Sequence, residues 1–261
     1  LDYASNDYID CGVDSDFSFG TGDFTWSIWL NCESHNDYAG IFYTGAGSGD
    51  TYRLKFQANG SQDIYLDTSV TDALIADLGA PIAGTGWHHL CIVRTSGTIK
   101  TYLDTVEKGS VSRAEAMDNA SAKFFIGYNT ATYTFDGMFS NIAIWKSALS
   151  EDQILSIYNG GVPNNISSLS PLTWWSFSGD SYFDGTYFKF PDLGTGANIA
   201  TSTNMMNSRL IGNGPGSTAN GVATNMNIPE DLKGSAPNST NNAFSVNMNS
   251  LDRVEDVAPS P

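Results

Sequence analysis

The chain has 261 residues, which is enough for one large β-sandwich with an appendage. Its formal charge of -16 would repel phosphate groups, so nucleic acid is excluded as a predicted partner. No apolar run approaches the ~20 residues that a membrane-spanning helix needs, so membrane insertion is not predicted.

Short alternating runs, separated by Gly, Asn, Asp and Ser turns, fill the chain from about residue 7 to residue 145. In the run FTWSIWLNC, Phe24, Trp26 and Ile28 fall on one side of a strand. Ser27 and Trp29 fall on the other side. A strand that is apolar on one side and mixed on the other is typical of a two-layer sandwich. The clearest predicted strands are 24–32, 52–58, 87–94, 98–103 and 137–145.

One helix is predicted directly after these strands. Ser150 and Gln153 have the spacing of a capping box, in which each side chain binds the backbone N–H of the other residue. Ile154 and Ile157 follow at helical spacing, and Gly160 tolerates the left-handed cap that ends a helix. A single short helix after a series of strands indicates an all-β sandwich.

The chain divides into three predicted parts. Residues 1–162 form the sandwich, and residues 163–211 form a strand-rich extension that packs back on it. Residues 212–261 are rich in Asn, Ser, Gly and Pro, and their hydrophobic periodicity fades. Such a stretch buries too little apolar surface to offset its ordering entropy. The third part is therefore predicted to be an extended C-terminal arm that a partner surface orders.

Three stretches of the chain resemble the laminin-G-like domains of the concanavalin A-like lectin/glucanase family. WHHLCIVRTSGTIKTYLDTVEKG resembles the family's signature hairpin, which begins Trp-His-His and returns through an aliphatic–Tyr–aliphatic–Asp–Gly strand. DYIDCG with GDFTWSIWLN resembles the first two strands, and FDGMFSNIAIWKSALSEDQILSIYNGG resembles the last strand and closing helix. The resemblance covers about residues 1–161 and implies a two-sheet antiparallel jelly roll. The family includes lectins, adhesion modules, enzymes and capsid-type proteins, so the fold does not by itself define a function.

The chain departs from the family pattern at several positions. Thr105 stands where the family commonly has the turn glycine. Ser140 and Asn141 stand where an acidic residue is usual, which argues against a family-type acidic or calcium role there. The family's usual first strand is absent before Leu1, and TWWSFSGD at 173–180 has a similar composition. One hypothesis is that this late segment folds back and fills the vacant edge, as in a circular permutation; the other is a truncated second repeat.

Catalytic motifs are missing from the sequence. Glucanases of this fold carry Glu-x-Asp-x-x-Glu on one strand, and neither this string nor Gly-x-Ser-x-Gly occurs. His88 and His89 are adjacent on a predicted strand, so their side chains point to opposite faces and cannot readily bind one metal. Cys11, Cys32 and Cys91 lie in apolar runs, which favours buried free thiols. The chain is therefore predicted not to be an enzyme.

Calcium is the one cofactor that the sequence suggests. Jelly rolls of this type often hold Ca²⁺ at a rim through loop carboxylates and carbonyls, because the ion takes six to eight oxygen ligands. The alternative is that the loop acids are simply solvated. The candidate ligands are Asp14, Asp16 and Asp136, with Asp37 and Asp50 as further loop acids.

Sugar binding would need an exposed aromatic ring for stacking, with amide or carboxylate groups nearby. Most aromatic residues at strand spacing belong to a core, which is the alternative for each candidate. The candidate glycan-binding residues are Trp29, Tyr38, Tyr128 and Tyr133, with Tyr43 as a further candidate.

Two functions of different classes are predicted. The first is a structural virion component, a capsid decoration or a tail or fibre subunit at the virion surface. It rests on AFSVNMNSLDRVEDVAPSP, which resembles the tails of laminin-G-like proteins encoded by marine bacteriophages. In this hypothesis the arm contacts neighbouring subunits, either copies of the chain or other virion proteins. The alternative is a lectin-like adhesion module at an extracellular or cell surface, binding cell-surface glycans with or without calcium.

Overall fold

The computed structural model describes residue 1 and residues 3–34, 37–45, 52–57, 63–68, 72–118, 123–130, 133–178 and 180–205. The predicted arm at 212–261 lies outside these residues. The described strands form two antiparallel sheets, and a short helix, α1, spans Glu151–Tyr158, so the predicted all-β class is confirmed. The strands are β1 (Tyr8–Asp10), β2 (Phe24–Cys32), β3 (Gly40–Gly45), β4 (Tyr52–Phe56), β5 (Ile64–Thr68), β6 (Asp72–Ala76), β7 (Trp87–Thr95), β8 (Thr98–Leu103), β9 (Val106–Ser112), β10 (Lys123–Ile126), β11 (Gly137–Trp145), β12 (Thr173–Trp175), β13 (Tyr182–Phe183), β14 (Phe188–Phe190) and β15 (Ala200–Thr203).

The six-stranded sheet has the order β12-β11-β2-β7-β8-β9. Its inner side carries the predicted apolar row of β2. Trp26 and Ile28 pair in register with Ile92 and Leu90 of β7, and all four side chains are at most 1% exposed. Period-2 alternation therefore assigns the buried side of β2 correctly.

The nine-stranded sheet has the order β13-β14-β15-β1-β10-β3-β4-β5-β6 and packs its inner side against the first sheet. The ring of Trp26 lies 5.6 Å from that of Tyr52 and 5.5 Å from that of Phe42, so aromatic contacts join the two layers. Burying each such side chain stabilises the fold by roughly 1.5–3 kcal/mol. The predicted buried free thiols are confirmed: Cys11 and Cys32 belong to the core between the two sheets, and Cys91 lies in β7.

The helix α1 covers part of the outer side of the six-stranded sheet. The predicted capping box is present: Gln153 N–H donates to Ser150 Oγ at 3.3 Å, and Ser150 N–H donates to Gln153 Oε1 at 2.9 Å. Ile154 and Ile157 are buried in a second apolar cluster with Trp145 of β11. The described part of the chain contains no helix that is both long and apolar enough to cross a membrane.

The extension after the helix adds strands to both sheets. β12 pairs antiparallel with β11, and β15 pairs antiparallel with β1. Trp175 of β12 is fully buried, and its Nε1 donates to the carbonyl oxygen of Asn198 at 2.7 Å. The late Trp-rich segment thus lies at a sheet edge, which is the position that the fold-back hypothesis expects.

Candidate functional site

The outward side of the nine-stranded sheet carries a row of polar and aromatic side chains. Leu54 of β4 faces the core, so its neighbours Arg53 and Lys55 face outward. The register places Arg53 opposite Tyr43 of β3 on one side and Asp67 of β5 on the other. We call this surface the outward row, because its members follow one another from strand to strand across the sheet.

An ionic network occupies one end of the outward row. Lys55 Nζ lies 2.7 Å from Asp67 Oδ2, and each of these two side chains is 7% exposed. Arg53 Nη2 lies 3.3 Å from the same oxygen, and Lys55 Nζ lies 3.3 Å from Asp72 Oδ2. Burial, together with a hydrogen bond to Asp72, raises the pKa of Asp67 to about 6, although Lys55 opposes the shift. The network holds Arg53 in place while its side chain stays 38% exposed.

Asn129 connects this network to the loop before β3. Its Oδ1 accepts from Arg53 Nη1 at 3.3 Å, and its Nδ2 donates to the carbonyl oxygen of Tyr38 at 2.9 Å. Glycine at position 40 lets the backbone of β3 lie close to the backbone of Tyr128, because a Cβ at position 40 would lie 2.2 Å from the carbonyl oxygen of Tyr128. The amide is therefore fixed beside the guanidinium.

Four half-buried aromatic rings form a group in the middle of the outward row. The ring of Tyr8 lies 5.5 Å from Phe125 and 4.7 Å from Tyr128. The ring of Tyr43 lies 6.1 Å from Phe125 with an interplanar angle of 16°. The Tyr43 ring extends over Gly45, where a Cβ would lie 2.0 Å from the ring atom Cζ. The absence of a side chain at Gly45 thus lets Tyr43 lean along the sheet.

A second aromatic pair contacts the ionic network through Lys55. The rings of Tyr38 and Tyr133 are 5.4 Å apart at 72°, and Lys55 Nζ lies 5.2 Å from the centroid of the Tyr38 ring. The ammonium group therefore joins this pair to the network by a cation–π contact. The outward row so far consists of two aromatic groups with charged and amide groups between them.

The prediction that Trp29 is an exposed stacking residue is wrong. Trp29 is 1% exposed, and its ring is stacked on Tyr158 of α1 at 5.8 Å and 6°. It does lie on the mixed side of β2, as the alternation indicates. That side is covered by the helix, so the ring offers no free face to a ligand.

The other three glycan candidates lie on one surface. Tyr38, Tyr128 and Tyr133 are half-buried on the outward side of the nine-stranded sheet, with Tyr43 beside them. Their part in binding stays a prediction. Sequence reasoning missed the surrounding residues, although each alternates with a buried neighbour in its own strand and could have been assigned by that signal: Tyr8, Arg53, Lys55, Asp67 and Phe125.

The metal-ligand candidates do not come together. Asp14 accepts a hydrogen bond from the backbone N–H of Asp16 at 2.8 Å, and Asp16 accepts one from Asn198 Nδ2 at 3.2 Å. Asp136 accepts one from Ser34 Oγ at 2.5 Å. Asp136 directly precedes β11, whereas Asn198 contacts Thr173, which pairs with Ile144 near the other end of that strand. The two groups of acids are therefore about 25 Å apart, eight residues of a strand.

These carboxylates instead fasten loops. Among the described residues, no group of three or more His, Cys, Asp or Glu side chains could hold a metal ion. Asp50 lies outside the described residues. Calcium binding by Asp14, Asp16 or Asp136 stays a prediction.

His88 and His89 point to opposite faces, as the alternation predicts, because they pair with the inward Leu30 and the outward Trp29. His88 Nδ1 lies 2.6 Å from Asp104 Oδ2, and its Nε2 lies 2.8 Å from Thr85 Oγ1.

The Thr85, His88 and Asp104 side chains follow one another in the order hydroxyl, imidazole and carboxylate, as in a nucleophilic triad. However, the Thr85 hydroxyl donates to the carbonyl oxygen of Ile82 at 2.6 Å, so its proton is directed into its own loop. Burial would raise the pKa of Asp104, but hydrogen bonds from His88 and from the backbone N–H of His89 outweigh it and lower that pKa. The hydrogen bonds of His88 with Thr85 and Asp104 therefore join the loop before β7 to the β8–β9 turn.

Comparison with known proteins gives a family and a set of similar folds. The family model described as the concanavalin A-like lectin/glucanases superfamily matches residues 4–155. A comparison with curated proteins finds no match. Among solved structures, a candidate carbohydrate-binding protein from Bacteroides ovatus has a TM-score of 0.58 at 18% identity. The alignment covers 76% of this chain and 56% of that protein, so the chain spans just over half its length.

Two further structures have lower scores. Domain 4 of AbnA, an extracellular arabinanase from Geobacillus stearothermophilus, in complex with arabinotriose, has a TM-score of 0.47 at 21% identity, covering 57% of this chain and 69% of that one. The CBM40 of the Ruminococcus gnavus IT-sialidase, bound to α2,3-sialyllactose, has a TM-score of 0.41 at 13% identity, and the alignment covers 52% of this chain and 82% of that one. The likeness to the Bacteroides ovatus protein shows the fold alone.

Proposed function

Because the chain belongs to the concanavalin A-like lectin/glucanases superfamily, we propose that it is a glycan-binding module of an exposed surface, extracellular or on a cell or particle. The single observation that carries this proposal is the outward row, in which half-buried aromatic rings flank an ionic network with an exposed guanidinium. The shared fold of a candidate carbohydrate-binding protein supports the class of function. The site itself is argued from this chain.

The outward row matches the two chemical sides of a sugar. A sugar ring has apolar C–H surfaces, which pack on aromatic rings, and hydroxyl groups, which need hydrogen-bond partners. Tyr8, Tyr43 and Phe125 supply rings that are already held by one another. Arg53 has five N–H donors, and its contacts with Asp67 and Asn129 use two of its nitrogen atoms without covering the group. A preorganised surface of this kind loses little side-chain entropy on binding.

We propose binding without cleavage. Glycoside hydrolysis requires two carboxyl groups that both reach the substrate, one as the acid and the other as the base or nucleophile. Asp67 is 5% exposed, and its Oδ2 is occupied by Lys55 and Arg53. Asp72, with a side chain 50% exposed, is then the accessible carboxylate of the network. Incubation with the bound polysaccharide should release no reducing ends, and their release above a blank would contradict this part of the proposal.

The test of glycan binding is a glycan array followed by titration calorimetry with the best neutral polysaccharide. Arg53→Ala and Tyr43→Ala should each weaken binding about tenfold, since each removes roughly 1–1.5 kcal/mol of hydrogen bonding or stacking. Lys100→Ala is the matched control for charge, because Lys100 is 36% exposed on the other sheet. Leu155→Ala on α1 is the control for an exposed apolar side chain. Binding that responds equally to the controls, or no binding at all, would contradict the proposal.

A structural role in a virion is a second proposal, and its support is the sequence of the C-terminal arm. That arm lies outside the described residues, so no described contact bears on subunit partners. The proposal predicts a symmetric oligomer of the full chain, or an assembly with other virion proteins, held by residues 212–261. Light scattering should then report more than one copy per particle, and deletion of the arm should return a monomer.

A further inference from the structure

The outward row continues into strands that follow the family match. The match ends at residue 155, whereas β13, β14 and β15 lie between 182 and 203. In register, Lys189 of β14 lies between Tyr182 of β13 and Thr201 of β15. Thr201 in turn pairs with Asp10 of β1, and Asp10 pairs with Phe125 of β10. Since paired residues share a face, Tyr182 belongs to the same row as Phe125.

Two tyrosine rings are exposed at this end of the row. Tyr182 is 38% exposed and Tyr187 is 47% exposed. Lys189 Nζ lies 5.7 Å from the centroid of the Tyr187 ring, so that ring lies on the side of β14 that Lys189 faces. Asp184 Oδ1 accepts from the backbone N–H groups of Thr186 and Tyr187, each at 2.8 Å. These hydrogen bonds fix the backbone that carries Tyr187 before any ligand arrives.

The length of the row exceeds what one sugar needs. Four inter-strand steps separate Tyr182 from Phe125, and a fifth leads to Tyr43. With about 4.8 Å per step, the aromatic residues of the row extend over roughly 24 Å. A single sugar ring would contact one group of rings and leave the other group empty.

The charges along the row are paired. Lys123 Nζ lies 2.6 Å from Asp10 Oδ2, and Lys189 Nζ lies 3.4 Å from Asp184 Oδ2. Lys55 is paired with Asp67 at the other end, as described above. A polyanion would have to displace these acids and approach a chain of formal charge -16. The row therefore favours an uncharged ligand.

We propose that Tyr182 and Tyr187 form a second subsite, and that the ligand is the interior of an extended neutral polysaccharide lying across the strands from Tyr43 to Tyr182. This inference rests on the proposed glycan-binding function and deepens it. The extension after residue 163 then has a binding role as well as a structural one. Its exposed tyrosines supply contacts that a shorter glycan, held at Tyr43 and Arg53, does not reach.

The test is calorimetric titration of the full chain with cello-, xylo-, manno- and arabino-oligosaccharides, each from disaccharide to hexasaccharide. Affinity should rise at least about tenfold from the shortest to the longest member of the series that binds, since the second subsite adds stacking contacts. The double variant Tyr182→Ala, Tyr187→Ala should lose this rise and keep the affinity for the short members. Tyr182→Phe, Tyr187→Phe keeps the rings and should behave like the unchanged chain, and Leu155→Ala is the control for an exposed apolar side chain.

The outcomes separate the two proposals. Affinity that does not change with length, or a double alanine variant that keeps the full rise, would overturn the second subsite and leave glycan binding intact. Tighter binding of charged glycans, tested with polygalacturonate and heparin, would overturn the neutral class. If none of these neutral or charged glycans binds, the proposed function itself fails.

Discussion

His89 is a fully buried histidine between the six-stranded sheet and the helix. Its Nε2 lies 2.8 Å from Ser27 Oγ, and its ring lies 5.1 Å from that of Trp29. Burial lowers its pKa from 6.5 to about 4, although Asp104 opposes the shift. The native state therefore keeps the neutral imidazole over a pH range in which the unfolded chain binds a proton.

We predict that His89 weakens the fold in mild acid. As the pH falls from 6.5 to about 4, the unfolded state gains a proton that the native state refuses, and the free energy of unfolding decreases by about 3 kcal/mol from this residue. Asp7 and Asp67 act in the opposite direction, because burial raises the pKa of each from 3.8 to about 6. Native-state protonation of these acids adds stability as the pH falls over that range.

The contribution of His89 is measured as a difference. Urea unfolding of the unchanged chain and of His89→Gln at several pH values cancels the carboxylate contributions, since both proteins share them. The unchanged chain should lose stability relative to the variant as the pH falls. Parallel curves would mean that the buried imidazole does not titrate as described.

At the scale of single elements, the β8–β9 hairpin contains a conformation that its sequence does not favour. Asp104 and Thr105 both have positive φ, 49° and 71°. Asp104 is tied by the hydrogen bond that its Oδ1 accepts from the backbone N–H of His89 at 2.8 Å. Thr105 is β-branched, and a β-branched residue in the left-handed region is strained. This is the position at which the sequence departs from the glycine of the family pattern.

We predict that Thr105→Gly stabilises the protein by about 1 kcal/mol, because glycine adopts a positive φ without strain. The melting temperature should rise by about 2–4 °C in a chain of this size. Thr95→Gly is the control: Thr95 is exposed near the end of β7 and pairs with Thr98, so glycine there should destabilise by up to about 1 kcal/mol. A lower melting temperature for Thr105→Gly would show that the threonine side chain stabilises the fold by more than its strained backbone destabilises it.

Individual strands were predictable because alternation is a property of each strand alone. The predicted runs 24–32, 98–103 and 137–145 coincide with β2, β8 and β11, and the run 87–94 ends one residue before β7 does. The candidate site was only partly predictable, because strand pairing brings the rings of Tyr8 and Phe125 together, and strand register places Tyr182 farther along the same face. Trp29 shows the same limit: alternation assigned its side of the strand, but the helix that covers that side begins more than a hundred residues later.

At the scale of the whole molecule, the extension is part of the main core. Trp175 and Ala200 are fully buried, and Phe188 and Phe190 are each 2% exposed in the cluster that contains Trp26. Asn198 further ties the extension to the first part of the chain, since its Nδ2 donates to Asp16 Oδ2 at 3.2 Å. The predicted division at residue 162 therefore separates parts that share one apolar core, and a family match ending at residue 155 understates the folded unit.

We predict that a chain ending at residue 162 does not unfold cooperatively, whereas a chain ending at residue 205 melts close to the full-length protein. Loss of one buried Phe or Trp costs about 3–5 kcal/mol. The shorter chain lacks four of them, Trp174, Trp175, Phe188 and Phe190, against a total stability of roughly 5–15 kcal/mol for a typical domain. The longer truncation keeps every described strand, including the β15–β1 pairing. Calorimetry of both truncations, with Trp175→Ala in the full chain as a graded intermediate, measures this difference. A sharp transition near the full-length midpoint for the chain ending at 162 would mean that the first part is a self-sufficient sandwich and that the extension only docks on it.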